Sequence, residues 1–220
     1  MADRWASFDC YGTLVDWGGG IRRELARIWP EADAAALLAR YHEIEPRVQL
    51  DGSLPYRAVL GQALTLLAET EGLELPPGEE DALARSLPSW APFPEVPGEL
   101  AELRRRGWRL AILSNSDPDL LGASLERIGV PVDRRVTADV AGSYKPAHGH
   151  WERFRELEQV EPGRYLHVGA SAFHDLGPAA ALGIPAVWIN RLGETSEHPR
   201  AAELTSLAGL SDVLDAVAGS

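Results

Sequence analysis

The chain has 220 residues, 45% of them apolar and 25% charged, which excludes a disordered chain and suffices for one large domain or for a core domain carrying an inserted one. Its 21 Lys and Arg stand against 33 Asp and Glu, a net charge of −12, so the surface repels phosphate backbones and anionic lipid; non-specific nucleic-acid binding is excluded, and any anionic substrate needs a local positive site. No apolar run approaches the ~20 residues of a membrane span, the opening MADRWASFD has no signal-peptide core, and the lone Cys10 allows no intrachain disulfide. A cytoplasmic protein with no membrane or nucleic-acid partner is the expectation.

Residues 5–9 read as a short apolar strand with an abrupt polar stop, and Gly12, Gly18, Gly19 and Gly20 as a loop behind it. From Ile21 to about Trp90 the pattern is helical. Ile21, Leu25, Ile28 and Trp29 recur at helical spacing until Pro30. Leu37, Leu38, Tyr41, Ile44 and Val48 form a second stripe, interrupted near Pro46. Ser53 can cap a third helix through Tyr56, Leu60, Leu64 and Leu67 that stops at Gly72, and residues 80–87 suit a fourth. The proline-rich residues 91–97 look like a hinge.

Beyond it the texture alternates. A helix over 99–106 closes on the basic run Arg104 to Arg106, strand 108–113 leads into Ser114 and Asn115, and Ser116 caps a helix ending at Gly129. Strand 136–138, a helix near 150–157, strand 165–168, helix 176–182, strand 186–189 and a last helix from Ser211 follow. Short strands alternating with helices predict a doubly wound parallel sheet interrupted after its first strand by an all-helical insert.

Ligands of such sheets bind beyond the carboxyl ends of the strands. The residues there are Asp9, then Ser114 and Asn115, then Lys145, then Ser171 with Asp175. A carboxylate such as Asp9, ending a buried strand with Gly12 and Thr13 behind it, can attack as a nucleophile and form an ester. Thr13 would bond that carboxylate or the turn. Lys145 would hold its charge and help orient water. Ser114 and Asn115 offer donors for a substrate carboxylate, with ordinary helix capping as the alternative.

These residues resemble a known family. Phe8-Asp9-Cys10-Tyr11-Gly12-Thr13-Leu14, Leu113-Ser114-Asn115, Tyr144-Lys145-Pro146 and Val168-Gly169-Ala170-Ser171 through Asp175 are similar, in order, to the four motifs of the haloacid dehalogenase superfamily, and in particular to (S)-2-haloacid dehalogenases. The resemblance implies a Rossmann-like core over residues 1–14 and 92–220, with a helical cap domain over 15–91. It implies hydrolysis of short 2-haloalkanoic acids, with inversion at C2, through an ester on Asp9. Phosphatases of the superfamily carry an acid where this chain has Tyr11. A halide needs no proton to leave, and Tyr11 would instead wall the pocket. Metal-dependent relatives usually show Gly-Asp where Gly169-Ala170 stands here, so no cofactor and no tightly bound metal are expected.

The likeness further assigns water activation to Asp175 and halide binding to Arg40, with Arg47 and Arg57 as rivals. It gives the apolar wall to Ile44, Tyr56 and Phe173. Ser171 stands where the family has a water-positioning asparagine, and Trp151 where it has an aromatic hydroxyl. One extra residue, assigned to His174, separates Ser171 from Asp175. A phosphatase-like hydrolase and a non-catalytic carboxylate-binding relative remain as alternatives, and a homodimer is left open.

Overall fold

The structure, a computed structural model, describes residues 4–49 and 54–219. Six parallel strands, β1 (Arg4–Phe8), β2 (Trp108–Ser114), β3 (Arg134–Thr137), β4 (Tyr165–Gly169), β5 (Ala186–Ile189) and β6 (Ala202–Leu204), form one sheet in the order β3-β2-β1-β4-β5-β6. Alternate residues face opposite sides. Ala6, Phe8, Leu110, Ile112 and Val168 join one buried cluster, and Trp5, Ala111, Leu113 and Trp188 the other. Burial on both faces is what turns these strands into nearly unbroken apolar runs.

Ten helices are described among these residues: α1 (Trp17–Ile28), α2 (Ala34–Gln49), α3 (Tyr56–Glu71), α4 (Ala82–Ser86), α5 (Val96–Arg105), α6 (Pro118–Ile128), α7 (Ala138–Ala141), α8 (Gly149–Glu158), α9 (Gly177–Ala181) and α10 (Leu210–Ala218). α1 to α4 follow β1 and bury Ile21, Leu25, Leu37, Tyr41, Leu60, Leu64 and Leu67, which join the same cluster as Ala6 and Phe8. The chain runs from β1 through these helices to β2 and β3 on one side, then returns to β4 on the other. β1 therefore lies at the point where the strand order reverses, and the crevice beyond β1, β2 and β4 is where such a sheet binds a ligand.

Several local expectations are corrected. Gly18, Gly19 and Gly20 lie inside α1 rather than in a loop. Asp16 caps that helix, its Oδ1 accepting from Gly19 N at 2.9 Å. A Cβ on Gly19 would lie 2.0 Å from the Asp16 carboxylate, and one on Gly20 2.3 Å from the Trp90 ring, so these glycines permit close approach rather than a turn. α2 runs through Pro46 to Gln49. α5 begins at Val96, within the proline-rich stretch, because proline is tolerated in a first turn. The short strand β6 carries no apolar run and was not legible beforehand.

The expected cap Ser53 lies outside the described residues. α3 is instead capped from a distance: Asp117, the N-cap residue of α6 where Ser116 was expected, accepts from Tyr56 N at 2.8 Å and Arg57 N at 3.0 Å. No helix among the described residues is long and apolar enough to cross a membrane.

Asp117→Ala removes the acceptor of two helix-end N–H groups. It should cost about 1–2 kcal/mol in urea unfolding. An unchanged midpoint would contradict this account of how the helical layer is fastened to the sheet layer.

Candidate active site

β1 delivers Asp9 to the crevice. Asp9 N donates to Val168 O at 3.0 Å, which ties the end of β1 to β4. The following turn brings Thr13 back, and its hydroxyl donates to Asp9 Oδ2 at 2.8 Å while accepting from Ala170 N at 2.9 Å. Lys145 Nζ donates to Asp9 Oδ1 and to Asp175 Oδ1, each at 2.8 Å. Asp9, 9% exposed, borders the cavity, whereas Asp175 is fully buried.

Asp175 is held by two further donors. Its Oδ1 also takes His167 Nε2 at 3.2 Å, and its Oδ2 takes Ser171 N at 3.1 Å. His167 Nδ1 in turn meets Ser7 Oγ at 2.9 Å.

The three charges are unequal. Burial raises the Asp9 carboxyl above its ordinary range, Lys145 opposes this, and the charge of Asp175 adds to it. For Asp175 burial is outweighed by Lys145 and the His167 hydrogen bond, and its carboxyl falls far below the usual range. Burial of the Lys145 ammonium is outweighed by the two carboxylates, which push its pKa upward. Asp175 is thus the fixed counter-ion and Asp9 the more basic, reachable oxygen donor.

Asn115 locks the backbone that carries the lysine. Its Oδ1 accepts from Lys145 N at 2.6 Å, and its Nδ2 donates to Lys145 O at 3.0 Å and to Gln49 Oε1 at 3.0 Å. Gln49 comes from α2, so one amide joins the helical layer to the site.

A cavity of about 930 Å³ opens above Asp9, between the sheet and α1 to α3. Tyr11, Ser114, Asn115, Lys145, Ser171, Phe173 and Tyr56 border it together with Asp9 and Asp175. Tyr11 stacks on Tyr56 at 6.2 Å, and its hydroxyl is bonded to Ser124 Oγ at 3.0 Å. Ser114 Oγ is buried without a hydrogen-bond partner, a donor for a ligand. Phe173, 55% exposed, forms the rim.

Four expected residues are not brought to the cavity. Arg40 sits on the exposed face of α2, paired with Glu43 and, at 3.0 Å, with Glu71; a helix face rotated outward cannot bind a halide here. Arg57 is likewise held at the surface by Asp117 and Asp119. Ile44 is buried inside the helical layer. Trp151 lies beneath Lys145, its ring centroid 6.0 Å from Nζ, and packs edge-on against His167.

The cavity contains residues that the sequence pattern did not single out. Arg22, Glu45, Gln49 and Arg191 all line it. Arg191 Nη2 donates to Thr13 O at 3.0 Å and pairs with Glu95 at 2.7 Å, over the Phe93 ring, while its buried Nε has no partner. Arg22 is exposed and makes no ion pair among the described residues. It lies one turn beyond Gly18 and Gly19 on the same face of α1, a relation visible only once that helix is known to begin at Trp17. Glu45 is buried and pushed up to about 7 by desolvation, with Gln49 and Tyr56 opposing the shift.

Among the described residues no group of three or more His, Cys, Asp and Glu side chains is placed to hold a metal ion. The space between the two carboxylates is taken by Lys145 Nζ. The donor set does not fit a divalent cation, which needs several oxygens in near-octahedral array.

Residues 4–183 match the family model described as haloacid dehalogenase-like hydrolase. The (S)-2-haloacid dehalogenase of Pseudomonas sp. (strain YL) is 28% identical over an alignment covering 97% of this chain and 95% of its own. The haloacetate dehalogenase H-2 of Moraxella sp. (strain B) is 29% identical, covering 85% of each. A crystal structure of a dehalogenase with an intermediate complex superposes with a TM-score of 0.86 at 26% identity, covering 97% of this chain and 98% of that one. Matched over most of its length, this chain belongs to the haloacid dehalogenase-like hydrolases.

Proposed function

We propose that this protein hydrolyses short 2-haloalkanoic acids to 2-hydroxyalkanoic acids and halide, through a covalent ester on Asp9. The observation that carries this reading is the pairing of Asp9 with Tyr11. Asp9 is an anionic carboxylate held by Thr13 and Lys145 at the floor of a cavity. Two residues on, where a leaving alkoxide would need a proton donor, stands a phenol bonded to Ser124 and pushed far up in pKa by burial. Such a site suits a leaving group that departs as a stable anion.

An Asp9 oxygen attacks C2 from the side opposite the halogen. The new C–O bond forms as the C–X bond breaks, the electron pair leaves with the halide, and C2 is inverted. Lys145 keeps Asp9 ionised through this step. Ser114 Oγ, with no protein partner, donates to the substrate carboxylate. Tyr11, Tyr56 and Phe173 surround the carbon chain. Water then attacks the ester carbonyl carbon and releases the hydroxy acid.

The substrate and the departing halide are both anions, and the protein carries a net charge of −12. With Arg40 at the surface and Arg191 committed, Arg22 supplies the positive charge on the helical side of the cavity. The reading also places the reaction in the cytoplasm, on a small carboxylate, without a metal.

Halide release from chloro- and bromoacetate and from both 2-chloropropionates tests this directly. Release should survive exhaustive EDTA treatment. Activity lost on chelation and restored by Mg²⁺, or phosphate release in place of halide release, would contradict the reading.

Arg22→Ala should lower kcat/KM by ~10- to 10²-fold, the value of one charge-assisted hydrogen bond. Arg40→Ala should stay within about twofold, because its ion pairs are exposed. The opposite ranking would return the anion site to α2.

A further inference from the structure

One face of the sheet is packed from apolar side chains, among them Trp5, Ala111, Leu113, Trp151, Phe154 and Trp188. Ser7 of β1 and His167 of β4 break this pattern. They are register partners on adjacent strands, and neither has exposed surface. Alternation along the strands turns Ser7 to the side of Trp5 and His167 to the side of Tyr165. A small and a large apolar residue would fill the two positions without needing any partner. Polar groups at this depth cost free energy unless they are bonded, so their partners decide what they are for.

The bonds form one line that ends at the nucleophile. His167 Nε2 lies 3.2 Å from Asp175 Oδ1, the oxygen that also accepts from Lys145 Nζ at 2.8 Å, and Lys145 Nζ donates to Asp9 Oδ1 at 2.8 Å. Asp175 stays ionised and can only accept, so the ring proton is on Nε2. Nδ1 is then an acceptor, and the Ser7 hydroxyl, 2.9 Å away, donates to it. The other acceptor open to that hydroxyl, Leu166 O, is more distant at 3.4 Å. Trp151 packs edge-on against the imidazole at 5.2 Å and fixes its plane. The neighbouring buried histidine, His150, is bonded to Ser114 O at 3.0 Å and does not enter the line.

We propose that Ser7 and His167 are positioning residues for the Asp9 reaction: by donating to Asp175 from within the core, they fix the direction of its Oδ1 and keep Lys145 centred between the two carboxylates. This rests on the ester mechanism proposed above. Lys145 is shared between two anions. An Asp175 oxygen deprived of the His167 donor attracts the ammonium more strongly, and the hold of Lys145 on Asp9 slackens. Burial already raises the Asp9 carboxyl against the pull of Lys145, so a weaker contact raises it further. A protonated Asp9 cannot attack C2. The acid limb of the first half-reaction therefore moves to higher pH when His167 is lost, although His167 has no exposed surface and does not border the cavity.

The test is rapid-quench chloride release from (S)-2-chloropropionate as a function of pH, with His167→Phe, His167→Gln and Ser7→Ala beside the wild-type protein. His167→Phe fills the space and donates nothing. It should slow the burst ~10- to 10²-fold at neutral pH, the value of a hydrogen bond to a charged group, and move the acid limb up by ~1 pH unit. His167→Gln keeps a donor near the place of Nε2 and should return the limb to its wild-type position. Ser7→Ala should slow the burst ~3- to 10-fold and move the limb in the same direction, and it carries the test alone where His167→Phe does not fold. Slower bursts with an unmoved limb would mean a structural role only. Equal loss in His167→Gln and His167→Phe would mean that the donor is not what matters. Either result would overturn the proposal, as would wild-type behaviour of Ser7→Ala. Ring-nitrogen NMR, with the His167 signals assigned by their loss in His167→Gln, gives a check that needs no turnover. The proton should sit on Nε2, with Nδ1 accepting a hydrogen bond that disappears in Ser7→Ala; a proton on Nδ1, or on both nitrogens, would contradict the line as drawn. Absence of chloride release from the wild-type protein is a separate result that would sink the ester mechanism, and the ring spectrum would still decide the line of hydrogen bonds.

Discussion

Lys145 Nζ stands 2.8 Å from a carboxylate oxygen on each side, Asp9 at the end of β1 and Asp175 in the turn after β4. Two buried carboxylates brought so close would otherwise not both remain ionised. The surrounding structure serves this contact. Asn115 grips the lysine backbone from the end of β2, and Trp151 underlies its ammonium. His167 and the Ser171 N–H also donate to Asp175. Removing the lysine would leave buried charge uncompensated, a loss of about 3–5 kcal/mol in comparable sites.

The same contact separates the two carboxylates by role. Asp175 accepts three donors and has no exposed surface, so it anchors the lysine. Asp9 receives one bond from Lys145 and one from Thr13, keeps a small exposed edge, and is the more basic of the pair. The parallel sheet supplies this asymmetry, since β1 at the reversal of strand order points its end into the crevice while the residue after β4 folds underneath. The net negative charge of the protein then matters less than the few cations at the cavity wall.

Much of this was legible from the order of residues. Asp9, Ser114, Lys145 and Asp175 follow apolar strands, and a parallel sheet must bring such strand ends to one edge. That inference needs no knowledge of side-chain direction. Arg40 was misplaced because its position on a helix says nothing of which face turns inward, and Glu43 and Glu71 hold it outside. Trp151 was displaced from the cavity by its packing under Lys145. Gly18 to Gly20 mimic a loop, yet Gly19 and Gly20 are small because Asp16 and Trp90 lie against them. Arg22 was hidden by that same misassignment. The cap of α3 by Asp117 joins residues far apart in the chain, and no local pattern announces it. Gln49 and Glu45, polar residues within an apolar stripe, were the available signal for a polar cavity wall on α2.

The central claim is that Asp9 becomes covalently bonded to the substrate carbon. One turnover in ¹⁸O-water, with protein in excess over substrate, decides it. The product hydroxyl should then carry ordinary oxygen, and the label should appear in a peptide containing Asp9, because water attacks the ester at the Asp9 carboxyl carbon. Label in the first product with none in Asp9 would mean that water displaces the halide directly, and the account of Asp9 as nucleophile would be wrong.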